Sequence, residues 1–216
     1  MNKRSASTPL NPVAVALTGA SGMQYALRLL ECLTRAEIHT YVMVSKAARA
    51  VLSHELDLVL PSQSQQAQRW FSQRLGAKQG QLQVFGAEEW TAPTASGTGA
   101  PAAMVVCPCT MGTLSAISHG SSDDLIARSA DVVIKEHKKL ILVPRETPLS
   151  VLHLRNMTAL AELGVLILAA NPGFYHRPRS VADIVDFIVA RILDHLHIEH
   201  DLMARWGADS PPAAPS

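Results

Sequence analysis

The chain has 216 residues, 48% of them hydrophobic, and a formal net charge of +1. Such a chain can bury one sizeable α/β core, which excludes wholesale disorder, and its charge argues against a general nucleic-acid binder. We expect no membrane span, since no apolar run reaches about 18 residues, and no secretory signal. The three cysteines (Cys32, Cys107 and Cys109) form no paired framework, which predicts a reducing compartment, the cytoplasm.

The first structured unit is predicted to be a strand, a Gly/Ser turn and a helix. Residues 13–18 are almost purely apolar and typical of a strand buried in a parallel sheet, and residues 19–22 form the turn. The helix carries an apolar stripe of Ala26, Leu29, Leu30 and Leu33. This geometry points backbone N–H groups above the sheet edge, where they suit a phosphate. The alternative is a turn that needs glycine only for its backbone angles.

Ser45 is predicted to lie beside that turn. It closes a second strand over residues 38–44 and precedes a helix that extends to Glu55. A helix over residues 61–78 and a short strand over 82–85 follow. Ligands of open α/β sheets bind at the carboxyl ends of the strands, and this places Ser45 at that edge.

Two further segments bring small or polar residues to the same region. Residues 89–101 form a long loop that contains Trp90, and it is either functional or a solvated crossover with one buried anchor. A strand over 103–107 then leads to Thr110, a predicted helix N-cap. The amides of Met111, Gly112 and Thr113 would face the same edge, although simple capping also explains this turn.

Charged residues follow on the next helix and strand. The helix over 123–134 carries Arg128 and Lys135 on one face with Asp131 between them, which also fits a solvated face. A strand over 140–143 ends at Arg145 and Glu146, which prolines frame. Such rigid placement favours a functional pair over a structural ion pair.

The C-terminal third adds an aromatic hydroxyl, a cation and an indole. A helix over 150–163, a strand over 164–169 and a constrained loop holding Tyr175 precede a strongly periodic helix over 181–196. Arg191 lies off the apolar stripe of that helix, and surface solvation is its default interpretation. Trp206 is expected to pack on something, such as a neighbouring subunit.

The full set of motifs resembles the flavin prenyltransferase family of the bacterial UbiX type, over roughly residues 13–207. The segments that carry the resemblance occur in order along the chain: Leu17-Thr18-Gly19-Ala20-Ser21-Gly22, Val44-Ser45-Lys46-Ala47, Cys107-Pro108-Cys109-Thr110-Met111-Gly112-Thr113-Leu114, Leu125-Ile126-Ala127-Arg128, Lys135-Glu136, Val143-Pro144-Arg145-Glu146-Thr147-Pro148 and Pro172-Gly173-Phe174-Tyr175.

The resemblance implies an α/β, Rossmann-like three-layer fold with a mostly parallel sheet between helices. We expect a single domain over 13–207, mobile tails over 1–12 and 208–216, and a homododecamer with sites at subunit junctions. Members of the family join the dimethylallyl group of dimethylallyl monophosphate to N5 and C6 of reduced FMN, without a metal. The prenylated FMN serves a partner UbiD-type decarboxylase.

By position, the resemblance also assigns site residues. It implies that FMN is held by Gly19, Ala20, Ser21, Ser45, Thr110, Met111, Gly112, Thr113 and Arg145. It implies that the prenyl phosphate is held by Arg128, Lys135, Glu146, Tyr175 and Arg191. Trp90 and Trp206 would offer π faces to the cationic fragment, Ser21 would handle the proton at the flavin N5, and Glu146 would accept or relay a proton.

Some residues depart from the family pattern. Asp124 stands where relatives usually have Asn, His137 replaces a more usual Arg, and residues 169–171 differ from the common segment. These departures bear on substrate affinity more than on reaction type. Three alternatives stay open: an FMN-dependent decarboxylase of peptidyl or pantothenoyl cysteines, an aromatic-acid decarboxylase, and a non-catalytic flavin carrier. The carrier would need the Gly/Ser turns but not the phosphate-binding set.

Overall fold

The computed structural model describes residues 12–203, so Trp206 and nearly all of the two predicted tails lie outside the described residues. The strands are β1 (Val13–Leu17), β2 (Thr40–Val44), β3 (Leu82–Phe85), β4 (Ala103–Cys109), β5 (Lys139–Pro144) and β6 (Leu166–Ile167). They form one six-stranded sheet in the order β3-β2-β1-β4-β5-β6, and every neighbouring pair is parallel. The predicted parallel α/β fold is confirmed.

Helices connect the strands. They are α1 (Met23–Arg35), α2 (Lys46–Leu56), α3 (Ser64–Leu75), α4 (Met111–Ser118), α5 (Leu125–Lys135), α6 (Val151–Glu162) and α7 (Val181–Leu196). The loop before β4 contains two short 3₁₀ turns, Pro93–Ala95 and Gly97–Gly99. Within the described residues no helix is long and apolar enough to cross a membrane.

The two faces of the sheet have separate hydrophobic cores. Successive side chains of a strand point to opposite faces. Val15 of β1 accordingly packs in one core with residues of α1 and α7, whereas Ala14 packs in the other with residues of α4 and α5. The molecule therefore has three layers, with α1 and α7 on one side of the sheet and α4 and α5 on the other.

The predicted boundaries hold for β3 and α7 and differ elsewhere. The strand predicted over 164–169 is reduced to the two residues of β6, because this edge strand pairs only with β5. The periodic helix predicted over 181–196 begins with the apolar Val181, yet this side chain is 70% exposed, since the first turn of α7 projects beyond the core.

The strand order reverses between β1 and β4, and a buried threonine joins these strands at that point. The hydroxyl of Thr18, directly after β1, donates to the carbonyl of Pro108 at 2.7 Å and accepts from the amide of Thr110 at 2.8 Å. Open α/β sheets bind ligands at the carboxyl edge where the order reverses. The fold thus brings the ends of β1 and β4 together at the expected place for a site.

Candidate functional site

The Gly/Ser turn after β1 is shaped by α2, which lies across it. A Cβ placed on Gly19 would lie 2.5 Å from the Cβ of Ala47, so any larger residue would push α2 away. Gly22 has a φ of 111°, a left-handed conformation that favours glycine. Gly22 therefore fits the alternative in which the turn needs glycine for its backbone angles, whereas Gly19 is needed for the close approach of α2.

Glu55, at the far end of α2, caps the N-terminus of α1. Its carboxylate accepts from the amide of Gly22 at 3.0 and 3.1 Å and from the amide of Met23 at 3.0 Å. These two amides are therefore not free to bind a phosphate, because a carboxylate of the same chain already accepts from them.

Glu55 also contacts the predicted catalytic serine. Burial opposes ionisation of this carboxyl, yet hydrogen bonds from Ser21 and from the two amides, together with the charge of Arg145, outweigh it and lower the pKa of Glu55. The guanidinium Nε of Arg145 donates to the carbonyl of Ser21 at 3.4 Å. Ser21, Glu55 and Arg145 thus meet at the carboxyl edge, although they come from three separate segments.

Glu55 was missed in the sequence because its partners are 32 and 33 residues away. One signal was available. An acidic residue in the last turn of a helix opposes the helix macrodipole, so Glu55 in the last turn of α2 needs a compensating partner elsewhere.

Ser45 lies at the same edge, at the end of β2. Its amide donates to the carbonyl of Leu17 at 3.0 Å, and its hydroxyl accepts from the amide of Ala48 at 3.0 Å as the N-cap of α2. A cavity of about 730 Å³ opens beside it between the ends of β2 and β3, lined by Lys46, Arg49 and Glu89 among others. Ser45 therefore caps a helix and also flanks a cavity.

Thr110 begins α4 as predicted. Its hydroxyl accepts from the amide of Thr113 at 3.0 Å and donates to the hydroxyl of Thr113 at 2.9 Å, so the side chain of Thr110 caps the helix. A Cβ on Gly112 would meet only Thr110 Oγ1, at 3.8 Å. First-turn amides of a helix have no acceptor within the helix; the cap satisfies that of Thr113, and the space around the Cβ position of Gly112 is open.

Arg145 and Glu146 follow β5 and are both exposed. A carboxylate oxygen of Glu146 accepts from the amide of Thr147 at 3.1 Å. Three exposed apolar side chains come directly after this segment, Leu149, Val151 and Leu152, with exposures of 44%, 63% and 68%. The pair therefore stands at the border of an apolar surface.

The two predicted cations of α5 both have acidic partners. Arg128 pairs with Asp131 at 2.9 Å and donates through Nε to the carbonyl of Ala95 at 3.2 Å. Lys135 pairs instead with Glu136. The carboxylate of Glu136 lies so close to Gly97 that a Cβ at residue 97 would collide with it. Asp131 thus does not bridge the two cations among the described residues, and α5 packs its charged face on the loop before β4.

That loop is anchored by Thr94 rather than by Trp90. Thr94 is fully buried, and its hydroxyl accepts from Ser129 of α5 at 2.8 Å. Trp90 is 47% exposed, so it is not the buried anchor that one of the two alternatives for this loop required. The indole can therefore face a ligand or a neighbouring chain.

Tyr175 and Arg191 lie apart from the α5 cations. Tyr175 precedes α7 and is 63% exposed, and Arg191 lies on α7 and pairs with Asp194 at 2.7 Å. Because α7 and α5 cover opposite faces of the sheet, one chain does not gather Arg191 with Arg128 and Lys135.

One departure from the family pattern, Asp124, has a structural explanation. Asp124 is the N-cap of α5, where its carboxylate accepts from the amide of Ala127 at 2.8 Å, a position that Asp and Asn fill equally well. His137 follows α5 with a φ of 52°. In residues 12–203, no group of three His, Cys, Asp or Glu side chains is placed to hold a metal ion.

Known proteins match nearly the whole chain. The Flavoprotein family matches residues 1–193. A relative from Pseudomonas aeruginosa, named flavin prenyltransferase UbiX, is 52% identical over 195 residues, which cover 90% of this chain and 93% of the relative. The chain belongs to the flavin prenyltransferases of the Flavoprotein family.

Solved structures agree with this membership. A dodecameric FMN-dependent UbiX-like decarboxylase from Escherichia coli O157:H7 is 36% identical, with a TM-score of 0.81 over 91% of this chain and 100% of the other. The protein AnUbiX, solved with FMN and dimethylallyl pyrophosphate, is 36% identical, with a TM-score of 0.82 over 92% of this chain and 98% of the other. The flavin prenyltransferase fold is thus present over the whole described domain.

Proposed function

We propose that this chain joins the dimethylallyl group of dimethylallyl monophosphate to N5 and C6 of reduced FMN, without a metal. The observation that carries the proposal is the meeting of Ser21, Glu55 and Arg145 at the carboxyl edge, in a chain 52% identical to a named flavin prenyltransferase. A UbiD-type decarboxylase would receive the prenylated FMN. A cytoplasmic location suits the three free thiols.

The donors at this edge suit FMN, which presents a phosphate, hydroxyls and heterocyclic acceptors. Ser45 and Thr110 bring hydroxyls to this edge, and the guanidinium of Arg145 reaches the carbonyl of Ser21 there. The residues proposed to hold FMN are Gly19, Ala20, Ser21, Ser45, Thr110, Met111, Gly112, Thr113 and Arg145. Reduced FMN, when bound, supplies the nucleophilic N5 and C6 atoms.

Ser21 and Glu55 are proposed to manage the proton at N5. The lowered pKa of Glu55 keeps its carboxylate ionised at neutral pH, so it holds the hydroxyl of Ser21 as a hydrogen-bond donor. A serine fixed in this way can hold or pass on a proton at one defined atom. Glu55 therefore acts as a positioning residue for Ser21.

The prenyl phosphate needs cations, because breaking its allylic C–O bond leaves negative charge on the departing phosphate. Arg128, Lys135 and Arg191 are proposed to stabilise that charge. Glu146 would accept or relay a proton, and Tyr175 would bind the phosphate. Trp90 and Trp206 would present π faces to the cationic fragment.

These cations come together only if copies of the chain share a site. Arg191 lies on one face of the sheet, whereas Arg128 and Lys135 lie on the other. The exposed apolar side chains of Leu149 and Leu152 beside Glu146 also suit burial by a second copy. We therefore propose a homo-oligomer, a dodecamer as in the Escherichia coli relative, with sites at the junctions between chains.

The direct test is mass spectrometry of the flavin after anaerobic incubation of the purified protein with reduced FMN and dimethylallyl monophosphate. We expect a mass gain of one five-carbon unit. Unmodified FMN in assembled, flavin-binding protein would reject the transferase. Release of CO₂ from an aromatic or cysteine-derived acid under the same conditions would favour the decarboxylase instead, which is how the Escherichia coli relative is described.

The shared site has its own test. Lys135→Ala and Arg191→Ala chains, each inactive alone, are co-expressed with different tags, and assemblies that carry both tags are isolated. We expect partial recovery of activity, because some junctions receive an intact residue from each chain. Assemblies of two differently tagged Lys135→Ala chains are the matched control and should stay inactive. Equal inactivity of both preparations would place the two residues in one chain's site.

A further inference from the structure

The ring of Tyr175 rests against two other aromatic rings. Its centroid lies 6.0 Å from that of His176, with an interplanar angle of 81°, and 6.0 Å from that of Phe187, with an angle of 74°. Both are edge-to-face contacts, a favourable geometry for aromatic pairs. These contacts orient the ring of a residue that is 63% exposed.

His176 and Phe187 contact each other as well. Their rings stack with centroids 5.2 Å apart and an interplanar angle of 15°, which ties the loop before α7 to the helix itself. Both ring nitrogens of His176 are buried, and neither has a hydrogen-bond partner among the described residues. The contribution of His176 here therefore comes from its ring face and not from a hydrogen bond.

Gly173 supplies the space that the tyrosine ring occupies. A Cβ at this position would lie 2.8 Å from Cε1 of Tyr175 and 3.3 Å from Cζ of Phe187. Its φ is not in the left-handed region, so the backbone itself would accept alanine. An added methyl group would displace the exposed ring of Tyr175 rather than disrupt the core.

We propose that Gly173, His176 and Phe187 form an aromatic platform that positions Tyr175 for the prenyl phosphate. The proposal rests on the proposed function, which assigns Tyr175 to that substrate. The platform works by shape: two stacked rings pack edge-to-face against the tyrosine ring, and the missing side chain of residue 173 leaves room for Cε1 of that ring. These residues act through Tyr175 and are positioning residues.

The experiment measures the dissociation constant of dimethylallyl monophosphate by calorimetry on FMN-loaded protein, so its readout does not need turnover. Gly173→Ala and His176→Ala should each weaken binding about tenfold, the loss expected for one hydrogen bond to a charged group, and should match Tyr175→Phe. His176→Phe keeps the ring face and should retain wild-type binding. FMN affinity should not change in any variant.

The double variant Tyr175→Phe/His176→Ala decides whether His176 acts through Tyr175. We expect the same affinity as Tyr175→Phe alone, because the platform has nothing left to position. His39→Ala, an exposed histidine before β2, is the matched control and should bind normally. Additive losses in the double variant, or wild-type affinity in Gly173→Ala, would overturn the platform. Normal binding without prenylated product would instead reject the proposed function.

Discussion

Replacing Glu55 tests the contact that links α2 to the start of α1. Glu55→Ala removes the acceptor for the amides of Gly22 and Met23. Losing an N-cap costs about 1 kcal/mol, and charge-assisted hydrogen bonds are roughly twice as strong as neutral ones, so we expect a loss of about 2 kcal/mol. For a chain of this size, that corresponds to a thermal midpoint lowered by about 4–8 °C.

The assay is thermal unfolding followed by circular dichroism at one fixed protein concentration, with and without FMN. Glu55→Gln keeps one carbonyl acceptor and should lose less than Glu55→Ala. Glu162→Ala, an exposed acid at the end of α6, is the matched control and should unfold like wild type. A Glu55→Ala midpoint equal to that of the control would refute the capping argument.

The pH dependence follows from the lowered pKa of Glu55. A carboxyl with a lower pKa in the folded state stabilises the protein above its unfolded pKa, about 4.3, and loses that contribution as the pH falls through the folded pKa. The difference in the free energy of unfolding between wild type and Glu55→Gln should therefore have its full size at pH 7 and become smaller below about pH 4. A difference that grows as the pH falls would mean that folding raises the pKa of Glu55 instead of lowering it.

Four other substitutions have defined outcomes. Thr18→Val leaves the amide of Thr110 unpaired and leaves the carbonyl of Pro108 with only the longer hydrogen bond from the amide of residue 18, at 3.3 Å. Unfolding should therefore become easier by about 2 kcal/mol in urea titrations, whereas Thr18→Ser should retain most of the stability. Gly19→Ala should push α2 away and weaken FMN binding, measured by flavin fluorescence; unchanged affinity would show that α2 moves without consequence. Leu152→Asp should reduce the assembled mass measured by light scattering while the secondary structure stays intact, and an unchanged mass would place the interface elsewhere. Glu146→Gln should bind FMN normally but lose turnover in the prenylation assay, and full activity would remove its proposed role.

The sheet could be predicted because its signals are local. The apolar run of β1 and the periodic stripe of α7 each depend on consecutive residues, and both elements form where expected. The N-cap Thr110 was likewise predicted from its position between a strand and a helix. Ser45 was predicted to lie between a strand and a helix, and the structure shows that it is an N-cap as well. In a parallel sheet the carboxyl ends of the strands share one edge, so the polar residues at those ends could be predicted to lie together there.

The rest of the site depends on contacts between distant segments. Glu55 reaches the start of α1 from the end of α2, and no spacing in the sequence reports that distance. The loop before β4 is anchored by Thr94 through Ser129, a buried pair of hydroxyls that carries less sequence signal than a tryptophan. The cations likewise lie on two faces because their helices pack on opposite sides of the sheet, and a local sequence pattern does not report that side.

The cap at the start of α1 also has a consequence for ligand orientation. A helix N-terminus normally attracts the most negative part of a ligand, but here a tethered carboxylate already neutralises it and would repel a second anion. A flavin that enters with its phosphate toward Gly22 meets like charge, whereas the uncharged ring system does not. We therefore expect the flavin phosphate to bind away from Gly22, so that the ring system faces Ser21.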